Sequence, residues 1–389
     1  MTRILALLGI GTLMTACGGI STTQGELSIP PTTTASPRPT VASTPEATPG
    51  DSAAAGAHGQ LAYVAGDDPQ IFILDLATGE RRQLTHLTDE DAALTGFGPI
   101  RPAVSCFFGP SSLAWSPDGA LLAFTYGGCE GVVYVINIDG DLRRVGEGRG
   151  PAWSPDSARL AFAANTPYCF GPPTCGEPPF PGAWSLQVAD IAAGTSAEPL
   201  TLDGSTSMAG QPTYSPDGSL IAYTVPLQDP VPEPDLFAAT RVAEADGSEA
   251  RLVARGAWPS GWLPDGRLLV VDERTGDLRA VDLASTDAEL LGGDVAAASV
   301  APDGSRLLLT ETDLQTGANR VRLTTLGGDP IVEAAGYPLA WAPDSRAAVI
   351  VDFDAVELVV LGRDGQVIGT YPLQPGGHPA SSASWRPGS

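Results

Sequence analysis

The chain has 389 residues and a formal net charge of -24, and glycine and proline, with 46 and 36 residues, make up more than a fifth of it. The length allows one large or two ordinary domains, and the turn-rich composition favours an all-β protein over a helical one. The charge excludes nucleic acid and anionic lipid headgroups as main partners, and the absence of lysine excludes a Schiff-base lysine. A cation or a basic protein surface stays open as a partner, beside the alternative that the acidity only keeps the chain soluble.

Residues 1–16 predict the signal peptide of an exported lipoprotein. One arginine precedes an apolar run of about a dozen residues, which is too short to span a bilayer. The segment LMTAC at residues 13–17 resembles a bacterial lipobox, which implies that Cys17 is lipidated and becomes the new N-terminus. Several acyl chains, at about 0.8 kcal/mol per buried CH₂, would then hold the protein at a membrane. An ordinary cleaved signal peptide and an uncleaved anchor are the alternatives.

Residues 17–57 predict a disordered tether. The segment is rich in Ser, Thr, Pro and Gly and poor in large apolar groups, so burial cannot offset the entropy of ordering it. A coil of roughly 40 residues reaches about 35 Å. The folded domain is therefore expected to span residues 58–389 and to stand off the membrane.

A short W-x-P-D pattern recurs through the rest of the chain. Seven copies indicate a repeat architecture. A catalytic aspartate is needed only once, so the pattern indicates scaffold rather than chemistry. The copies are AWSPDG from Ala114, AWSPDS from Ala152, TYSPDG from Thr213, GWLPDG from Gly261, SVAPDG from Ser299, AWAPDS from Ala340 and a degenerate SWRPGS from Ser384.

Each copy predicts the first turn of a four-stranded unit. Proline presets φ near about -65°, aspartate accepts nearby backbone N–H groups, and glycine or serine closes the turn. An apolar strand follows, such as LLAFTY from Leu121, then a third such as VVYVIN from Val132 and a fourth such as ARLVAR from Ala250. Four short strands per copy are typical of the blade of a β-propeller.

The two ends of the repeat region predict one shared blade. Residues 59–85 supply three strands with no copy of the pattern before them, and residues 380–389 supply one strand with nothing after it. Their pairing would tie the ends of the ring together. The sequence therefore predicts an all-β, seven-bladed β-propeller closed by pairing of its N- and C-terminal strands. Six or eight blades would require that one copy is misread.

The repeats resemble the TolB-like, WD-like propeller repeats of bacterial envelope proteins and of the propeller domains in the prolyl oligopeptidase family. The resemblance covers residues 58–389 and implies the fold, without implying one activity. This chain departs from TolB itself, which carries an α/β domain ahead of a six-bladed propeller. A direct role in the Tol–Pal system is therefore not expected.

Four cysteines follow Cys17, and an even number in an exported protein predicts disulfides. The W-x-P-D turns would lie on one face of the disk, the turn face. The second-to-third strand loops and the links between blades would lie on the other. Cys106 in a link and Cys129 in a loop of the same blade would share that second face, so we expect the pairs Cys106–Cys129 and Cys169–Cys175. Zinc is the alternative, disfavoured by the five-residue spacing of CFGPPTC and the lack of a nearby histidine.

Three long insertions are expected on the face away from the W-x-P-D turns, which we call the insertion face. They start at His86, Asn165 and Pro226 and belong to neighbouring blades. Loops on a rigid scaffold are where binding usually resides, and their aromatic side chains suit contact with a partner. The alternative is that these rings pack small cores within the loops themselves. The candidate partner-binding residues are Phe97, Phe107, Phe108, Tyr168, Phe170, Phe180 and Trp184.

Acidic residues are also expected near the insertion face. A ring of carboxylates at a propeller mouth would suit Ca²⁺, but no D-x-D-x-D-G loop is present, which favours solvated rim charge. The three histidines lie apart at His58, His86 and His378, and neither G-x-S-x-G nor H-E-x-x-H occurs. We therefore expect no catalytic residue, cofactor or metal. The acidic residues are Asp67, Asp68, Glu130, Asp229, Asp235, Asp272, Glu273, Asp313, Asp352 and Asp354.

The sequence thus predicts an exported propeller, lipid-anchored at the outer face of the cytoplasmic membrane or in the periplasm. It would act as a monomeric, non-catalytic binding or scaffolding module. Its partner would be a protein or a cell-wall glycan at the insertion face, and it would meet the membrane only through its lipid. The alternative is a propeller-fold polysaccharide lyase or hydrolase with its site at the mouth of the central channel.

Overall fold

The structure is a computed structural model that describes residues 57–66, 68–87, 109–127, 131–165, 184–191, 198–200, 212–226, 238–285, 287–312, 319–373 and 382–389. These residues form 28 strands in seven four-stranded antiparallel sheets, and no helix occurs among them. The predicted seven-bladed β-propeller is confirmed. The predicted signal peptide and the tether up to residue 56 lie outside the described residues.

Blades 1 to 4 contain the first fifteen strands, and blade 1 also takes one strand from the C-terminus. Blade 1 consists of β28 (Ala383–Trp385), β1 (Gln60–Ala65), β2 (Gln70–Asp75) and β3 (Arg81–Gln83). Blade 2 consists of β4 (Pro110–Trp115), β5 (Leu121–Tyr126), β6 (Val132–Asn137) and β7 (Leu142–Glu147). Blade 3 consists of β8 (Arg149–Trp153), β9 (Arg159–Asn165), β10 (Trp184–Asp190) and β11 (Glu198–Leu200). Blade 4 consists of β12 (Thr213–Tyr214), β13 (Leu220–Pro226), β14 (Ala238–Glu244) and β15 (Arg251–Arg255).

Blades 5 to 7 follow the same order of consecutive strands. Blade 5 consists of β16 (Ala257–Trp262), β17 (Leu268–Asp272), β18 (Leu278–Val281) and β19 (Ala288–Gly292). Blade 6 consists of β20 (Ala297–Val300), β21 (Arg306–Thr312), β22 (Asn319–Thr325) and β23 (Pro330–Ala335). Blade 7 consists of β24 (Tyr337–Trp341), β25 (Ala347–Asp352), β26 (Glu357–Gly362) and β27 (Val367–Pro372).

The ring closes at blade 1, as predicted. Strand β28 pairs antiparallel with β1, with Trp385 opposite Leu61. The backbone N–H of Gln60 donates to the hydroxyl of Ser389 at 2.8 Å, and Arg386 donates to the side-chain oxygen of Gln60 at 2.7 Å. Because the last residue of the chain bonds to the start of β1, both ends of the described domain lie side by side on the turn face.

The core lies between the blades. Between blades 1 and 2, for example, Ile71 and Ile73 pack in one cluster with Leu122 and Phe124. Each blade contacts a neighbour on both of its faces, so its central strands are buried on both sides. This explains why β5 and β9 are near-continuous apolar runs instead of alternating apolar and polar residues.

Polar side chains also join neighbouring blades near the turn face. In five interfaces, the carbonyl just after the third strand of a blade accepts a hydrogen bond from a side chain of the preceding blade. Four of the five donors are arginines, whose planar guanidinium suits such directed contacts. The pairs are Tyr371 to Leu76, Arg82 to Ile138, Arg143 to Ile191, Arg159 to Ala245 and Arg251 to Leu283.

Candidate functional site at the channel mouth

The first strand of each blade is its innermost. First strands of neighbouring blades contact one another, as β4 does with β8 and β16 does with β20, so they line the central channel. Each W-x-P-D turn follows a first strand and therefore lies at the turn-face mouth of that channel. Because strands alternate in direction, the second-to-third loops and the links between blades reach the insertion face.

An open pocket of about 490 Å³ lies at the turn-face mouth of the channel. This volume is in the range of small-ligand sites. Its wall combines the exposed prolines of three successive turns with aromatic rings and hydroxyl groups of the first strands. The lining residues are Pro117, Pro155 and Pro216, Trp153, Tyr214 and Trp262, Thr213, Ser215, Ser260 and Ser299, and Gly261 and Val300.

The tryptophans of the pattern join the first strands to one another. The indole N–H of Trp153 donates to the carbonyl of Ala114 in the preceding blade at 2.9 Å. Trp262 donates in the same way to Thr213, and Trp341 donates to Ser299. The rings of Trp153 and Trp262 are more than nine-tenths buried, so their faces are used by the core. These tryptophans shape the wall of the pocket without presenting a free ring face.

The aspartates of the pattern hold their own turns. Ser116 donates its hydroxyl to Asp118 at 2.6 Å, and the backbone N–H of Ala120 donates to the same carboxylate at 3.0 Å. These bonds lower the pKa of Asp118. In blade 4, bonds from Ser215 and Ser219 lower the pKa of Asp217 to about 2. The carboxylates are exposed and anionic at neutral pH, with a structural role in each turn.

We expect Asp217→Asn to remove part of the pH dependence of stability. The folded pKa of Asp217, about 2, lies below its ordinary value of 3.8, so its carboxylate stabilises the fold above about pH 4. That contribution is lost as the pH falls through 2. Urea denaturation at a series of pH values should show a smaller decline between pH 4 and 2 in the variant. The control is Asp139→Asn, since that carboxylate accepts no hydrogen bond from the described residues. Identical profiles for wild type and Asp217→Asn would contradict the prediction.

The six aspartates of the pattern differ in their partners. Within the part of the chain that the structure describes, Asp118, Asp156 and Asp217 of blades 2 to 4 form no ion pair. Arg159 lies close enough to lower the pKa of Asp156 slightly, but it donates to the carbonyl of Ala245 instead. In blades 5 to 7 each aspartate faces an arginine, at 2.8, 3.4 and 3.8 Å: Asp265–Arg267, Asp303–Arg363 and Asp344–Arg346.

The residues predicted to bind a partner are nearly all outside the described residues. Trp184 is the exception, because its backbone starts β10 and pairs with Asn165, although its side chain is not described. The lipidation and disulfide cysteines also lie outside. The predictions outside the described residues are Cys17, Cys106, Cys129, Cys169, Cys175, Phe97, Phe107, Phe108, Tyr168, Phe170 and Phe180.

Five of the predicted acidic residues are described. Asp272 and Asp352 each accept two backbone N–H groups of the turn that follows them, so they shape turns. Glu273 is 7% exposed and accepts the backbone N–H of Ala238 at 3.1 Å, which joins blades 4 and 5. Asp68 and Asp354 are exposed. The described residues contain no group of three metal-binding side chains.

The two described histidines have separate surroundings. His58 lies 3.9 Å from the carboxylate of Asp344, beside the closure of the ring on the turn face. His86 contacts the side chain of Gln83 at 3.1 Å, next to the last strand of blade 1. His378 lies outside the described residues. We take the turn-face pocket as the candidate site, because described residues alone form its lining.

Comparison with known proteins gives a likeness in structure alone. No protein-family model and no curated protein matches the chain. Among solved structures, hydrazine synthase of Kuenenia stuttgartiensis is 16% identical over 75% of this chain and 94% of that one, with a TM-score of 0.53. Prolyl oligopeptidase B of Galerina marginata is 12% identical over 82% of this chain and 50% of that one, with a TM-score of 0.52. TolB of Acinetobacter baumannii is 13% identical over 85% of this chain and 67% of that one, with a TM-score of 0.46.

The fold is a seven-bladed β-propeller. At these identities the similarity describes the fold and leaves the activity of this propeller open. In the part of the chain that the structure describes, no helix is long and apolar enough to cross a membrane.

Two features of this propeller were not predicted. One is Arg386, which stands where three of the seven copies have serine and donates to the carbonyl of Gly119 in blade 2 at 2.9 Å. Its guanidinium also lies 5.2 Å from the ring centre of Trp115. The other is the pocket, whose hydroxyl residues precede or begin the turns. The signal in the sequence was a Ser or Thr one or two residues before the Trp position of the pattern in blades 4 to 6, namely Thr213, Ser260 and Ser299.

Proposed function

We propose that the protein is a lipid-anchored, extracytoplasmic propeller that binds a protein or a cell-wall glycan at its insertion face, without catalysis. The supporting observation is the arrangement of the described strands around the three long insertions. Strands β3, β9 and β13, which precede these insertions, belong to blades 1, 3 and 4 and end at the insertion face. A rigid ring that gathers long loops on one half of one face suits binding.

The proposed membrane attachment rests on the LMTAC segment and on lipidation of Cys17. The predicted disulfides, Cys106–Cys129 and Cys169–Cys175, would stiffen two of the insertions and lower the entropy lost on binding.

The test is affinity capture from detergent-solubilised envelopes. The immobilised bait would be either the intact protein or a variant in which residues 166–183 are replaced by a short Gly-Ser turn. Circular dichroism and melting curves would first establish that both fold. We expect a protein or glycan that the intact form retains, that the variant loses, and that rebinds after purification.

The matched control is Phe353→Ala, which changes an exposed ring in the second-to-third turn of blade 7, on the insertion face but outside the insertions. This variant should retain the partner. Equal recovery from all three baits would contradict the proposed face. Turnover of an envelope or plant polysaccharide by the purified protein would contradict the non-catalytic function.

A further inference from the structure

The turn-face pocket is a second candidate surface, separate from the insertion face. It lies at the opposite end of the channel, and its wall is built entirely from described residues of blades 2 to 6. It is off-centre, because the exposed prolines that line it come only from blades 2 to 4: Pro117, Pro155 and Pro216. Its existence does not depend on the insertions.

The charge around the pocket is distributed unevenly between blades 2 to 4 and blades 5 to 7. Each lining proline is followed directly by an aspartate, and these are Asp118, Asp156 and Asp217, which form no ion pair among the described residues. Bonds within the turns lower the pKa of all three, so they are anionic at neutral pH. The aspartates of blades 5 to 7, by contrast, each lie 2.8 to 3.8 Å from an arginine, which weakens their attraction for other cations. One half of the mouth therefore attracts cations more strongly than the other.

The chemistry of the wall favours a peptide over a glycan. A sugar ring stacks on an exposed aromatic face, but Trp153, Tyr214 and Trp262 are more than nine-tenths buried. What the pocket offers is proline rings and the hydroxyls of Thr213 and Ser299, because those of Ser215 and Ser260 already bond within the propeller. Proline rings pack against aliphatic side chains and the stems of arginine or lysine, while hydroxyls bond to main-chain groups. Acidic glycans would also be repelled by the net charge of -24.

We propose that the turn-face pocket binds an extended peptide segment that carries arginine or lysine, with its cationic side chains toward blades 2 to 4. The segment would lie between the exposed prolines of blades 2 to 4 and the first strands β16 and β20. This site goes beyond the proposed function, since it neither requires the insertions nor shares their face. It gives the protein two surfaces, one at each end of the channel.

The test uses a phage-displayed library of random twelve-residue peptides, selected on the intact protein. Enriched peptides would be synthesised with fluorescein and titrated by fluorescence anisotropy in 150 mM salt. The key variant is the triple Asp118→Asn, Asp156→Asn, Asp217→Asn. Asparagine retains an acceptor oxygen for the turn, and melting curves would check the fold. The matched control is the triple Asp265→Asn, Asp303→Asn, Asp344→Asn, which makes the same change in net charge on the other half of the same ring.

We expect enrichment of arginine- or lysine-bearing peptides, with Kd raised about tenfold or more by the first triple and less than about threefold by the control. Equal weakening by both triples would overturn the proposal, because it would indicate only long-range attraction to an acidic protein. A selection that enriches no cationic peptide, or competition for the pocket by cell-wall oligosaccharides, would also overturn it.

A second pair of variants keeps the test independent of the turn aspartates. Pro155→Arg places a positive charge in the wall and should weaken peptide binding as strongly as the first triple. Pro302→Arg, at an exposed proline outside the pocket lining, should leave binding unchanged. Replacement of residues 166–183 should also leave peptide binding unchanged while it abolishes capture at the insertion face. The two experiments therefore test the binding proposal for each face independently of the other.

Discussion

Deleting residues 382–389 should open the ring and remove the cooperative unfolding transition of the propeller. The deletion removes β28, the first strand of blade 1, and leaves the edge of β1 unpaired. Trp385 is 7% exposed and packs in one cluster with Leu61, Tyr63 and Val349, so its loss exposes the interface between blades 7 and 1. Truncation of a buried tryptophan alone costs about 3–5 kcal/mol.

The deleted segment also holds blade 2. The hydroxyls of Ser382 and Ser384 accept the backbone N–H groups of Leu113 and Trp115, each at 3.0 Å. The guanidinium of Arg386 donates both to the side-chain oxygen of Gln60 in blade 1 and to the carbonyl of Gly119 in blade 2. The eight deleted residues therefore contact three blades. We expect their deletion to destabilise the propeller more than any single core substitution does. Calorimetry should show a broad transition at a lower temperature than in the wild type. Limited proteolysis should show rapid cleavage.

A circular permutation provides the control for this deletion. The hydroxyl of Ser389 already accepts the N–H of Gln60, so a short link can join residue 389 to residue 57 in a chain that starts at residue 382. The permuted chain keeps every strand but makes blade 1 continuous. It should melt cooperatively at or above the wild-type temperature. A deletion variant that melts as sharply as wild type would contradict the role of the closure. As a further control, Val367→Ala, at a residue 59% exposed, should change the melting temperature little.

The sequence was sufficient for the architecture because the signal is repeated. Each copy places proline, aspartate and glycine or serine at fixed offsets, and the apolar run after it marks the second strand. The closure was also predictable, since residues 59–85 and 380–389 are complementary parts of one blade. These predictions depended on turn residues and on strand periodicity. Both can be read from short segments of the sequence.

Contacts between blades were beyond the sequence, because they join residues about forty positions apart. Nothing in AWSPDS shows that the indole of Trp153 donates to Ala114. The same limit applies to charge. Asp303 pairs with Arg363 of the next blade at 3.4 Å, whereas Asp118 has no such partner among the described residues, although both stand in the same pattern. The asymmetry of the turn face therefore required the structure.

The acidic residues of the insertion face show a similar limit. Asp272 and Asp352 were expected as solvated rim charge or as ligands for a cation. The structure adds that each accepts two backbone N–H groups within its own turn. A D-x-x-T-G or D-x-D segment after an apolar strand is thus a turn signal, as aspartate side chains readily bond the backbone two residues on.

Replacing Gly336 by alanine should destabilise the propeller by about 3 kcal/mol or more, which combines a strained backbone with a steric clash. Gly336 links β23 of blade 6 to β24 of blade 7 with φ at +120°. An added Cβ would lie 2.0 Å from the carbonyl oxygen of Val351. That oxygen belongs to the second strand of blade 7, so relief requires a shift of the sheet itself.

Gly140→Ala separates the two causes. Gly140 has φ at +96° in a turn of blade 2, with no atom within 4 Å of an added Cβ, so its substitution carries only the backbone cost of about 1–2 kcal/mol. Urea denaturation of both variants should place Gly336→Ala well below Gly140→Ala in free energy of unfolding. Equal losses would mean that the link between blades 6 and 7 adjusts to a side chain. A larger loss at Gly336 would establish that close contact between this link and the second strand of blade 7 leaves no room for a side chain where that blade begins.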